Sequence, residues 1–92
     1  MINICPFCGR NISRVINSGI TTCDNCQRVF SDSSENKMLA AAWYIIRNNV
    51  DYIDYISEMF CLNEKETEMV NKHIIEDNLG HDQFYKIVMK NK

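Results

Sequence analysis

No stretch of this chain is long and apolar enough to cross a bilayer. Its longest unbroken apolar run, residues 38–46, is nine residues, against the ~20 that a spanning helix needs. Glycine is scarce, with 3 in 92 residues, and these form no phosphate-cradling motif. There is no basic excess either: 10 Lys and Arg against 12 Asp and Glu leave a net charge of −2. A protein whose main task is to coat DNA shows a strongly basic domain, so that class is disfavoured. Met1-Ile2-Asn3-Ile4 runs directly into Cys5 with no basic n-region or signal-like apolar stretch. The expectation is an intracellular, cytoplasmic protein, in the host cytoplasm or nucleus if the source is viral, with no membrane association. No internal repeat or low-complexity segment is read from the chain. The abundance of Asn and Ile is that of an AT-rich genome and points to a viral or bacterial source.

Cysteine, by contrast, is plentiful and ordered. Cys5/Cys8 and Cys23/Cys26 form two Cys-x-x-Cys pairs separated by fourteen residues, a spacing that reads as a zinc ribbon. Each pair lets the backbone wrap one ion, and the stretch between can run out, turn and return. A reducing compartment favours thiolate–metal ligation over two disulfides, the alternative reading of four cysteines. One structural Zn2+ is therefore expected, supplying folding energy that so short a segment cannot find in an apolar core. Four thiolates leave no open coordination position, so no Lewis-acid chemistry is expected at the metal.

Residues 1–32 read as the ribbon domain, and 33–92 as a helical one. Pro6 fixes φ after the first ligand, and Gly9 offers the positive φ that a knuckle needs after the second. Gln27 occupies the corresponding place in the second knuckle, where a non-glycine residue costs on the order of 1 kcal/mol. Arg14-Val15-Ile16 and Ile20-Thr21-Thr22 flank a turn signal at Asn17-Ser18-Gly19, and Val29-Phe30 supplies a third strand. The fold class expected is small α+β: three short antiparallel strands followed by three or four helices. Cys5-Pro6-x-Cys8, the polar hairpin, and Thr22-Cys23-x-x-Cys26-x-x-Val29-x-Ser31-Asp32 together resemble the N-terminal zinc ribbon of the transcription factor IIB family. The resemblance covers about a third of the chain. It implies a transcription-type ribbon that docks on RNA polymerase, with a helical region behind it engaging DNA or promoter factors.

The helical half is regular. The capping pattern Asp32-Ser33-Ser34-Glu35 starts a helix near Ser33 that Asn48-Asn49 breaks. Residues 38–46 are apolar on nearly every face, which places that helix at the centre of the chain or under a second copy in a homodimer. A second helix is expected over 50–62 and a third from Asn63-x-x-Glu66, ended by Gly80 as its C′ residue. A last helix starts at Asp82. The stretch 56–70 has the outline of a helix-turn-helix, with Cys61 where a glycine is usual. Glu64, Glu66 and Glu68 would line its reading helix, which argues against contact with phosphates and for a solvated acidic face. His73 reads as a packed or half-exposed core residue, His81 as a helix cap and Cys61 as a buried structural thiol. Asp51/Asp54 and the three glutamates look like surface charge and not a catalytic pair; no enzyme is expected.

Charge separates the halves. Residues 1–30 carry +2 and residues 31–92 carry −4, which suggests two surfaces with different partners. The leading expectation is a small accessory or regulatory protein of transcription. Arg10, Arg14 and Arg28 would contact RNA polymerase or nucleic acid, and the acidic helices would bind a protein partner such as a transcription factor. The alternative is a virus-type inhibitor or adaptor that never touches nucleic acid and blocks a basic surface with Glu64, Glu66 and Glu68. Iron-based electron transfer of the rubredoxin type is disfavoured by the short loop between the pairs.

Overall fold

The computed structural model describes residues 4–12 and 20–90. The strand expected over 14–16, the turn at 17–19 and Arg14 lie outside them. Strands β1 (Ile20–Thr22) and β2 (Val29–Ser31) pair antiparallel, with Thr21 opposite Phe30. Among the described residues the sheet thus has two strands where three were expected. An isolated antiparallel bridge joins Ile4 to Asn11. Four helices follow: α1 (Ser34–Asn48), α2 (Asp54–Met59), α3 (Glu64–Val70) and α4 (His81–Lys90). None of them is long and apolar enough to cross a membrane.

Helix α1 has the ends its sequence announces. The Ser33 hydroxyl accepts the Asn36 amide at 3.2 Å, and Asn49 enters the left-handed region (φ 52°), its N–H turned back to the Ile45 carbonyl. Met38, Leu39, Ala40, Ala41, Ala42 and Ile45 are all buried. The alanines let α4 and α3 approach closely, so the all-round apolar character is covered within one chain; Ile46, 36% exposed, is left partly open.

Beyond α1, several expectations need correction. Helix α2 is six residues long and does not run from 50 to 62, because the left-handed Asn49 reverses the chain and Ile53 offers no capping side chain. Helix α3 starts as expected. Asn63 and Glu66 exchange side-chain-to-backbone bonds of 2.8 Å in both directions. It continues unbroken into a π-helical segment, Asn71–Glu76, whose signature is the Asp77 amide reaching back to the Lys72 carbonyl at 2.8 Å. Asn78 (φ 53°), not Gly80, makes the left-handed turn that follows. Gly80 instead precedes α4, its amide bonded to Gln83 Oε1 at 3.0 Å. Cys61 is exposed, not buried; it makes the left-handed turn (φ 55°) between α2 and α3, at the very place noted as usual for glycine.

One buried cluster runs through both halves, from Ile4, Cys5, Cys23 and Phe30 to Leu39, Phe60, Phe84 and Val88. The cysteine-bearing segment therefore sits on the helices as part of a shared core.

Candidate metal centre

The sequence from Cys5 to Asn11 and that from Cys23 to Val29 build the same object twice. In the first, the Cys5 amide donates to the Arg10 carbonyl (2.9 Å) and the Gly9 amide to the Cys5 carbonyl (2.9 Å). In the second, Cys23 donates to Arg28 (3.0 Å) and Gln27 to Cys23 (2.9 Å). Gly9 and Gln27 both take positive φ, 79° and 64°. Each turn is opened and closed by antiparallel partners, Ile4 with Asn11 and Thr22 with Val29. The signal was present in the sequence, as Cys-x-x-Cys-x-Arg repeated at an offset of 18 residues, and contradicts the reading that the chain holds no internal repeat.

The two knuckles face one another about an approximate twofold axis. Cys5 Sγ lies 3.6 Å from Cys26 Sγ, and Cys8 Sγ 3.6 Å from Cys23 Sγ. All four sulfurs fall within 4.8 Å of one another. A tetrahedral zinc with Zn–S arms of ~2.3 Å would set its sulfurs ~3.8 Å apart, so the cluster is compatible with a zinc ribbon. A disulfide needs ~2.05 Å, and the four thiols are free. The same symmetry governs the arginines. Arg10 Nη1 crosses to Asn25 Oδ1 of the second knuckle at 3.0 Å. Arg28 crosses to the first and lies over the Phe7 ring, 4.9 Å from its centroid. Phe7 and Asn25 are equivalent positions, so each arginine braces the opposite knuckle.

Thiol electrostatics follow position. Burial pushes the Cys5 thiol up to about 12, against the opposing effect of the Cys8 and Phe7 amides. Burial also acts to raise Cys8. There the Arg10 amide, the Asn25 side chain and the neighbouring Cys5 and Cys23 thiols outweigh it, bringing that thiol down to about 6. A bound cation would deprotonate the set outright.

Beneath the first knuckle the helices close in. A Cβ on Gly9 would lie 2.7 Å from the Trp43 ring, and the Arg47 guanidinium donates to the Gly9 carbonyl. Trp43 stacks on His81 at 4.1 Å with an interplanar angle of 22°. His81 Nε2 is 3.2 Å from the Leu39 carbonyl. Burial holds the His81 proton affinity below its ordinary range, although the Leu39 and Pro6 carbonyls and Asp82 act the other way. His81 is thus a core residue and not the expected helix cap. Among the described residues the buried Trp43 Nε1 proton has no acceptor, a cost of about 1–3 kcal/mol. Ring packing against Gly9 and His81, not hydrogen bonding, fixes the indole. Tyr85 of α4 meets Phe7 at 6.5 Å. His73 is a packed residue as expected, its ring 5.9 Å from Phe84.

The remaining candidate residues divide. Arg10 and Arg28 are exposed beside the four-cysteine cluster, and Glu64 and Glu68 are exposed on α3. Glu66 is 4% exposed, held by its capping box and by Lys37 Nζ at 3.5 Å. Its carboxyl lies below the ordinary range: burial opposes the shift, while bonds from Ser34, the Asn63 amide and Lys37 produce it. In comparisons with known proteins, no family model, no curated protein and no solved structure matches the chain.

Proposed function

We propose that this is a zinc-ribbon accessory or regulatory protein of transcription, its four cysteines holding one structural Zn2+. The ribbon contacts RNA polymerase or nucleic acid, and the helical half binds a protein partner through an acidic surface that includes Glu64 and Glu68. The reading is carried by the way the site presents itself. The first knuckle is pressed against α1 and α4, while the second holds Asp24, Asn25, Gln27 and Arg28 exposed, beside Arg10. Four thiolates around Zn2+ carry a net charge of −2, and the two guanidinium groups partly offset it while remaining available to a phosphate or carboxylate.

The test is charge reversal at Arg10, Arg14 and Arg28 together, with bound zinc measured alongside. Capture of RNA polymerase, identified by its subunits, or of nucleic acid should be lost while zinc is retained. Undiminished capture overturns the reading. A second reading, a protein inhibitor or adaptor without nucleic-acid contact, is favoured by the arginines' use as braces between the knuckles. It expects Glu64→Gln with Glu68→Gln to weaken partner binding and the arginines to be dispensable.

A further inference from the structure

A groove of about 750 Å3 opens where α1 and the π-helical extension of α3 both end, against the start of α4. That volume is within the roughly 300–1,000 Å3 of ordinary ligand sites. Its walls are aliphatic: Ile45, Ile46, Val50, Ile74, Ile75 and Leu79 line it, with Trp43 and His81 alongside. The charge on it is of one sign. Asp51 and Asp82 are its carboxylates, and no Lys or Arg is among the lining residues. Neither aspartate has an ion-pair partner among the described residues. Asn49 and Asn78, both left-handed, terminate the two helices at its rim, so the negative ends of two helix dipoles lie there as well, while the positive end of α4 at the same groove is faced by Asp82 of its own first turn.

From this juxtaposition we propose that the groove is the docking site for a basic amphipathic segment of a partner protein, with aliphatic side chains in the cleft and Lys or Arg at Asp51 and Asp82. Charge complementarity selects that occupant. A nucleic-acid backbone or an acidic peptide would bring like charge to two unpaired carboxylates and two helix C-termini. Apolar anchors inside and basic residues at the rim match both the walls and the −4 of residues 31–92. The proposal rests on the reading of the helical half as a partner-binding body, and it is independent of what the ribbon contacts.

Trp43, the only tryptophan, lines the groove and supplies the readout. The zinc-loaded full chain is titrated with an amphipathic helical peptide of leucine and lysine, and separately with its leucine/glutamate counterpart, neither containing tryptophan. Saturable change in Trp43 fluorescence is expected with the first peptide only. Asp51→Asn with Asp82→Asn should weaken it about tenfold, and Ile46→Glu should abolish it. Asp54→Asn with Glu58→Gln, which removes the same charge outside the groove, should change it less than twofold. Absence of saturation, equal response to both peptides, or indifference to the Asp51/Asp82 pair overturns the assignment. If it falls while Glu64→Gln with Glu68→Gln still weakens partner binding, the partner-binding reading of the helices survives and only the groove is wrong.

Discussion

The two knuckles share their backbone bonds, their ligands and their arginines, yet they are held very differently. Against the first, α1 and α4 place Trp43, Arg47, His81 and Tyr85. The second has four exposed residues, and among the described residues no hydrogen bond joins it to a helix. A pseudo-symmetric four-cysteine site thus has one knuckle packed under α1 and α4 and the other, apart from its buried Cys23, turned outward. The shared motif makes the site, and the unshared surroundings set its halves apart: the first packs on helices, the second leaves Asp24, Asn25, Gln27 and Arg28 exposed.

The comparison is broken most completely by taking the metal away. A structural zinc site can supply on the order of 10 kcal/mol of apparent folding free energy. Because Gly9 packs on Trp43, chelation should destabilise the helical half by several kcal/mol as well as melt the ribbon. Trp43 fluorescence and the helical circular dichroism should then change together at one chelator concentration. A ribbon that loses metal while the helical signal and Trp43 emission stay fixed would show the first knuckle to be no anchor.

Next in size is Gly9→Ala. Alanine at φ 79° costs about 1–2 kcal/mol, and its Cβ would sit 2.7 Å from the Trp43 ring, within a close-packed core where overpacking adds about 1–3 kcal/mol. A loss of about 2–5 kcal/mol in denaturant unfolding of the zinc-loaded protein is expected.

Acid should also act through the anchored side. His81 takes up protons less readily in the fold than in the unfolded chain, because burial disfavours its charge. The unfolded chain therefore binds more protons just below the ordinary histidine value of ~6.5. The stability this residue contributes is complete above that value and is lost as pH falls toward the depressed one. Melting temperature, followed from pH 7.5 to 5.5, should fall more steeply in the native chain than in His81→Gln. Since both proteins keep all four thiolates, acid release of zinc cancels in the difference. Parallel profiles would mean that His81 is not held neutral.

What the sequence made legible was local. Cys5, Cys8, Cys23 and Cys26 are spaced by the geometry of a knuckle, and Ser33, Asn49, Asn63 and Glu66 cap helices through bonds to residues three or four away, so pattern alone found them. The misreadings came from two other sources. Left-handed turns were assigned to glycine, whereas Asn78 makes the turn that Gly80 was expected to make; asparagine tolerates that region and leaves little trace in pattern. Burial set by distant contacts was invisible: nothing near His81 announces that Trp43, 38 positions earlier, will cover it. Exposure of Cys61 between Phe60 and Leu62 is of the same kind, since a turn reverses the periodicity its neighbours suggest. The extension of α3 as a π-helix has no signal in the sequence that we can name.

The finest division between the knuckles is Gln27→Gly, the counterpart of Gly9→Ala. Gln27 is left-handed (φ 64°) and exposed, and its side chain donates to the Asp24 carbonyl at 3.0 Å. Glycine relieves roughly 1 kcal/mol of backbone strain. It also gives the unfolded chain about 0.5–1 kcal/mol more entropy to lose, and an exposed hydrogen bond goes with it. The terms nearly cancel, so stability should move by less than about 1 kcal/mol in either direction, with zinc affinity unchanged. Because the positive φ alone accounts for about 1–2 kcal/mol of the Gly9→Ala loss, only a loss beyond that, set against a near-neutral Gln27→Gly, locates the anchor in the contact with Trp43. A Gly9→Ala loss of no more than about 1–2 kcal/mol would leave the first knuckle no better anchored by the helices than the second, because backbone strain is then its whole cause.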